Sequence, residues 1–320
     1  MITGNRASRF LALAVSVGLL ALAAAFAACG GDDDDEATPT QAATEEPTAS
    51  EAPDASEPVV VQVGETFWHS GFKVTLDQAT YAGTEDDLGT VDWTVEIDAT
   101  FENLGPDTDS FDAEMVLLAG GETWTEISSD SDIPSVPGEL LQDGTIIFIV
   151  DDTFDFEEAS LLVGSADQNQ ASVPLGPDGG DLIALEPESA AVTGQIALEL
   201  ITLDFDGAEV RADIPLTHDE MDDGKLHLTI DFEATSRKSG NWSINVTDFA
   251  LTLPDGTSVP AYSGNNVSLP GNASGTTTGD LFVGFEVDHP AAGEYTLRFT
   301  AGSWWIENGP GEGEFSFTID

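Results

Sequence analysis

Between residues 91 and 101 apolar and polar side chains alternate without a break. Val91, Trp93, Val95, Ile97, Ala99 and Phe101 fall on one side of an extended chain, and Asp92, Thr94, Glu96, Asp98 and Thr100 on the other. A period of two predicts a strand with one face on a core and one in water. The pattern returns in Leu226, Leu228, Ile230, Phe232 and Ala234, set against His227, Thr229, Asp231, Glu233 and Thr235. Superposing Val95-Glu96-Ile97-Asp98 on Leu228-Thr229-Ile230-Asp231 brings further candidate strands into line. Upstream, 74–81 falls on 196–205. Downstream, 111–118 falls on 244–253, 146–150 on 281–287 and 160–163 on 296–299. The chain reads as one unit present twice, with its strands in the same order.

Each unit holds about seven strand candidates, the number expected of a small two-sheet domain. Asp143-Gly144, Asp206-Gly207, Asp223-Gly224 and Asp255-Gly256 are turn signals between them. No long stretch has a helical period; residues 155–162 are expected to turn once. The last strand, 314–319, puts Phe315, Phe317 and Ile319 on one face. This is an all-β fold class, predicted as two tandem immunoglobulin-like β-sandwiches, with a barrel as the structural alternative. The Cys-Trp-Cys core of many such domains is missing. Residues 59–176 form the first expected sandwich and 190–320 the second. The linker, 177–189, is rich in Pro, Gly and Asp, with Leu182 to Leu185 placed to pack back.

Ahead of the strands lies a different kind of sequence. Arg6 and Arg9 precede an apolar run, 10–28, which ends in Phe26-Ala27-Ala28-Cys29. A short basic region followed by an apolar core is the pattern of a secretory signal peptide, here 1–28. A run of this length would also suit a membrane span. It is rich in Ala, however, and it ends at the single cysteine of the chain with no basic stop-transfer residues. This ending resembles the bacterial lipoprotein signal, in which a small-residue lipobox precedes an obligatory Cys. The resemblance implies that Cys29 becomes the mature N-terminus, carries a diacylglycerol and holds the protein on a membrane, facing the extracytoplasmic side. Two or more acyl chains suffice for stable anchoring. Residues 29–58 contain Asp, Glu, Thr, Ala, Pro and Ser but almost no large apolar side chain. Such a stretch cannot bury enough surface to offset ordering entropy, so a disordered, extended acidic tether is expected.

Charge narrows the partners. The 320 residues hold 60 acids and 8 bases, a formal net charge of -52. With Arg6 and Arg9 removed, only Lys73, Arg211, Lys225, Arg237, Lys238 and Arg298 remain basic. Nucleic acid is excluded as a partner, because phosphate binding depends on neutralisation by Lys and Arg. Anionic lipid repels such a surface, which leaves the anchor as the membrane contact. Self-repulsion destabilises the folded chain in dilute buffer and is screened by salt, as a saline habitat would do. A single cysteine forms no intrachain disulfide, so apolar cores must hold the fold.

The first unit, 59–175, resembles bacterial secreted modules described as immunoprotective extracellular or immunoglobulin-like domains. Val63-Gly64-Glu65 and Phe101-Glu102-Asn103-Leu104-Gly105 carry the resemblance, together with Pro137-Gly138-Glu139 followed by Gly144 and Phe148. The second unit departs from it. Arg237-Lys238-Ser239-Gly240 replaces the Asn-Gly turn, and the opening Gly-Glu is absent. The resemblance implies a tethered, exported sandwich and no known reaction.

Chemistry is sparse. His69, His218, His227 and His289 lie far apart in the sequence. No Gly-x-Ser-x-Gly elbow, Cys-x-x-Cys or His-Glu-x-x-His occurs. The sharpest polar cluster is His218-Asp219-Glu220-Met221-Asp222-Asp223-Gly224, whose Asp219, Glu220, Asp222 and Asp223 are candidate ligands for Ca2+. Met221 stands where an EF-hand needs its third-position acid, and acid-rich loops arise freely in so acidic a chain. Thr202-x-Asp204-x-Asp206-Gly207 fails the same pattern for want of a bidentate Glu. Trp304 and Trp305 are the candidate ligand-binding pair, since neighbours on a strand point to opposite faces and one is expected at the surface. The other reading folds the Gly-Pro-Gly loop over it. Asn241, Asn245, Asn266 and Asn272 each head an Asn-x-Ser/Thr triplet and read as turn and strand-face residues.

These observations point to a lipid-anchored, extracytoplasmic, non-enzymatic protein that presents two sandwiches to a protein or envelope partner. The alternative is a lipoprotein that captures a solute or Ca2+.

Overall fold

The alternating stretch at 91–101 lies inside a 13-residue strand, Val91–Asn103, whose Val95, Ile97, Ala99 and Phe101 are buried while the residues between them reach solvent. The computed structural model of the protein describes residues 57–85, 88–127, 129–237, 239–271, 275–288, 292–301 and 311–319. In its first half these form β1 (Val59–His69), β2 (Phe72–Glu85), β3 (Val91–Asn103), β4 (Asp109–Ser110), β5 (Met115–Ala119), β6 (Glu122–Thr125), β7 (Ser135–Val136), β8 (Leu141–Val150), β9 (Ser160–Val163) and β10 (Ala171–Pro174). One sheet runs β1-β2-β3-β8 and the other β10-β9-β5-β6, and a short pair joins β4 to β7. Phe67, Leu76, Ile97 and Phe148 from the first sheet meet Leu117, Leu161, Val163 and Val173 from the second in one core.

The second half contains β11 (Glu188–Ala190), β12 (Gly194–Ala197), β13 (Ile201–Arg211), β14 (Asp213–Ile214), β15 (Asp219–Glu220), β16 (Lys225–Ser236), β17 (Trp242–Ile244), β18 (Phe249–Thr252), β19 (Ser258–Pro260), β20 (Ser263–Gly264), β21 (Val267–Leu269), β22 (Thr276–Asp288), β23 (Gly293–Thr300) and β24 (Glu312–Ile319). Its sheets run β11-β13-β16-β22-β20, with β12 also on β13, and β19-β18-β23-β24. Two short pairs, β14-β15 and β17-β21, complete it. Phe205, Phe232, Phe249, Phe285 and Phe299 fill a second, separate core. Every ladder is antiparallel, and the only helical turns among the described residues are two 3-10 turns, Phe156–Glu158 and Val246–Asp248. The fold is all-β and sandwich-like in its layers.

The internal repeat is visible in the strand order. Strands β2, β3 and β8 correspond to β13, β16 and β22, while β9, β5 and β6 correspond to β23, β18 and β19. A shared irregularity sets the register. In β2 the pairing with β3 shifts between Leu76 and Gln78, opposite Ala99 and Asp98. In β13 the pairing with β16 shifts between Phe205 and Gly207, opposite Phe232 and Asp231. Each shift is a β-bulge, and Asp77 and Asp206 are the extra residues. Residues 74–81 therefore match 203–210, and the expected match to 196–205 is corrected. Residues 196–205 are not one strand: β12 turns back on β13, with Ile196 opposite Leu203. The period of two runs on even positions through Ile196, Leu198 and Leu200 and restarts on odd ones at Ile201, Leu203 and Phe205, so the turn shows only as a change of phase.

Three further expectations are corrected. The strand expected over 111–118 begins only at Met115, although Phe111 is buried in the first core. The stretch 244–253 is broken by the 3-10 turn, where the Asn245 N–H donates to Asp248 Oδ2 (2.8 Å). Asp143-Gly144 and Asp206-Gly207 lie inside strands rather than at turns. At Gly144 a Cβ would sit 2.5 Å from the Asp132 carbonyl, so glycine there lets the covering segment lie close on β8. The linker packs back on the first half. Ile183 and Ser172 exchange two backbone hydrogen bonds (3.0 and 2.8 Å), and the Trp68 N–H donates to the Ala184 carbonyl (2.8 Å). Leu185 rests against the first core, whereas Leu182 and Ile183 remain exposed.

Candidate functional site

Two polar arrangements stand out, one repeated and one unique. The repeated one lies at the bulges. Asp77, Asp98 and Asp143 line a cleft of about 450 Å³ in the first half. Asp206, Asp231 and Asp280 line one of about 390 Å³ in the second. They occupy matching places, since Asp143 and Asp280 each precede the residue paired with Ala99 or Phe232. In the first cleft the Thr100 hydroxyl lies 3.1 Å from Asp143 Oδ1 and 3.3 Å from Asp77 Oδ2, with its one proton to donate to either, and Gln78 Nε2 donates to Asp98 Oδ2 (2.8 Å). The second cleft has Gly207 where the first has Gln78. Burial, then the neighbouring Asp206 and Glu209 charges, pushes the Asp231 carboxyl above the usual carboxylate range. Three carboxylates facing one cleft give each a locally negative field.

The unique arrangement joins the two halves. Strands β13 and β16 are connected by residues 212–224, whose β14-β15 hairpin reaches onto the first half. There the Gly71 N–H donates to Asp213 Oδ2 (2.7 Å) and the Ser70 N–H to Glu220 Oε2 (2.9 Å). Arg211 Nε donates to Asp213 Oδ1 (2.7 Å), and its Nη1 to Glu209 Oε2 (3.3 Å). His69 Nδ1 lies 3.7 Å from Glu220 Oε2 and 2.9 Å from Ser70 Oγ. The side chains of His69 and Glu220 are 1% and 0% exposed. On the other flank His218 Nε2 meets Asn103 Oδ1 at 2.9 Å, and its Nδ1 meets Asp109 Oδ2 at 3.1 Å. Asn103 also holds its own loop, accepting from the Gly105 N–H and donating to the Asp107 and Val136 carbonyls. At the base, Asn169 Nδ2 donates to the Lys225 carbonyl (2.8 Å), and the Asp223 N–H to the Asp167 carbonyl (3.0 Å).

Burial dominates the electrostatics here. It pushes the Glu220 carboxyl up to about 9, the nearby Asp213 adding to the shift while Ser70 and Arg211 oppose it. It holds His69 and His227 down at about 4, against the pull of Asp213. Arg211 goes the other way: Asp213 and Glu209 together outweigh desolvation and raise it. At neutral pH the junction thus holds one enclosed ion pair, Arg211–Asp213, beside uncharged Glu220, His69 and His227. Glu220 Oε1 and Arg211 Nη2 are buried without a protein hydrogen-bond partner.

The loop read as a Ca2+ candidate is this hairpin. Asp219 pairs with Ile214, Glu220 is enclosed, Met221 is buried and accepts from the Asn169 N–H (3.1 Å), and Asp222 bridges to Gln168. Among the described residues no three His, Cys, Asp or Glu side chains converge as metal ligands. Trp304 and Trp305, Cys29, His289 and Asn272 lie outside the described residues. Sequence reading missed the set of His69, Arg211, Asp213 and His227. One trace of it exists: Arg211 is a base set between Val210 and Ala212 at the end of a strand, an unusual place in a chain so poor in bases.

No protein-family model matches the chain, and no curated protein does. Among solved structures, the conserved domain protein from Bacillus anthracis aligns over 81% of this chain and 90% of its own, at 10% identity and a TM-score of 0.22. That likeness is too slight to carry an argument.

Proposed function

We propose that the protein is a lipid-anchored, extracytoplasmic, non-enzymatic module, which presents two immunoglobulin-like sandwiches (59–176 and 190–320) as one body to a protein or envelope partner. One observation carries the reading. The ionisable groups with reactive potential among the described residues, His69, His218, His227, Arg211 and Glu220, are enclosed or engaged in internal structure. Of these, His69, His218 and Glu220 make contacts across the two halves, which supports a structural role for them. The Ala27-Ala28-Cys29 ending and the acidic stretch behind it supply the address and the reach.

Mass spectrometry of the mature N-terminus tests the anchor. A diacylglyceryl-modified Cys29 at position one is expected, and Cys29→Ser leaves the protein uncleaved or free of the membrane. An unmodified cysteine rejects the anchor. Photo-crosslinking on intact cells, from exposed positions in each half, tests presentation. Adducts to an envelope component are expected, and their absence from every position rejects it.

A further inference from the structure

The hairpin's enclosed carboxyl has a feature that a purely structural contact does not need. Glu220 has no exposed side-chain surface, and its Oε2 accepts one bond from the opposite half while Oε1 accepts none. Asp213 stands beside it, already bound to Gly71 and to Arg211. The charged and titratable groups facing Glu220 are Asp213 and Arg211 from its own half and His69 from the other. A second buried anion here finds a single cation, already shared between Asp213 and Glu209. An uncompensated buried charge is costly, and moving the halves apart lets water solvate it.

We infer that Glu220 is a proton-operated latch between the two halves, closed while its carboxyl keeps a proton and released when that proton passes to solvent. This goes beyond the proposed function and holds whether or not Cys29 is lipidated. The sign follows from linkage. The closed form keeps the proton up to about 9, whereas an opened, hydrated Glu220 has lost it above the ordinary 4.5. Opening therefore releases one proton between those limits and becomes easier as pH rises. His69 acts in the opposite sense, because on opening it takes up a proton below about 6.5. Above pH 7 Glu220 acts alone, since ordinary carboxylates have by then finished titrating.

Amide hydrogen exchange on the full chain reads this directly. The N–H groups of Ser70 and Gly71 bond across the junction, while those of Ile97 and Ile230 report the two cores. After correction for intrinsic rates, protection at Ser70 and Gly71 is expected to fall about tenfold per pH unit from 7 to 9, as one released proton dictates, and then level off. The core amides should not follow. Glu220→Gln, which mimics the protonated carboxyl, is expected to hold protection constant across this range. Two results overturn the latch: protection flat to pH 10 in the wild type, or the same decline in Glu220→Gln. Should that variant misfold, the wild-type profile decides alone, because only a one-proton slope confined to the junction supports the inference.

Discussion

Gly105 has no side chain at a point where a Cβ would lie 2.5 Å from the Pro215 carbonyl and 2.6 Å from the His218 ring. A Cβ on Gly71, at φ 75°, would meet the same imidazole at 2.7 Å. Both glycines belong to the first half and both obstructing residues to the second, so the fit is decided atom by atom. Gly105→Ala keeps an allowed backbone and adds one methyl group to a closed contact. Overpacking of this kind costs roughly 1–3 kcal/mol. The variant is expected to lower the denaturation midpoint of the full chain and to expose the Ser70 and Gly71 amides. A midpoint equal to that of the wild type means that the loop moves aside freely. His227 depends on a glycine in the same way, since a Cβ on Gly284 would come within 2.0 Å of its Nε2.

At the scale of elements, the bulges at Asp77 and Asp206 hold each central strand in register. Removing Asp77 slides 72–76 by one position and turns Phe72, Val74 and Leu76, now fully buried, towards solvent. Each such side chain contributes roughly 1.5–3 kcal/mol by burial, and their combined loss is comparable to the whole stability of a domain, about 5–15 kcal/mol. Deleting Asp77 is therefore expected to abolish the protected amides of the first core, while Asp77→Asn leaves them intact. Equal protection in both variants contradicts this role for the bulge. The central strands were legible in the sequence because each buries alternate residues of a single run. The β12-β13 hairpin was not, since its turn shows only as a slip of phase between Leu200 and Ile201, with no Gly, Pro, Asn or Asp to mark it. The junction was less legible still. Its groups come from 69–71, 103–109, 167–169 and 211–225, and no local pattern pairs segments so far apart. Glu220 also sits in a run of acids, where an enclosed carboxyl and a solvated one look alike.

The whole molecule carries 60 acids against 8 bases. Screening shortens from about 10 Å at 0.1 M salt to about 3 Å at 1 M, and the folded chain concentrates its charge more than the expanded one. Melting temperature is expected to rise by about 4 °C or more between those salts, the shift that ~1–2 kcal/mol produces in a chain of this size. Millimolar Ca2+ at matched ionic strength should add nothing further. A saturable Ca2+ increment removed by substituting the acids of either bulge cleft would assign those clefts a specific ion, and a melting temperature flat in salt would refute the repulsion. The paired bulges also separate what is repeated from what is not. Both copies have the extra aspartate at the same point of the same strand. The connection beyond that strand differs: five residues, 86–90, in the first copy and thirteen, 212–224, in the second. The bulge is thus what the two copies hold in common, and the connection that joins the halves is where they differ. What makes the halves one body is the part of the repeat that is not repeated.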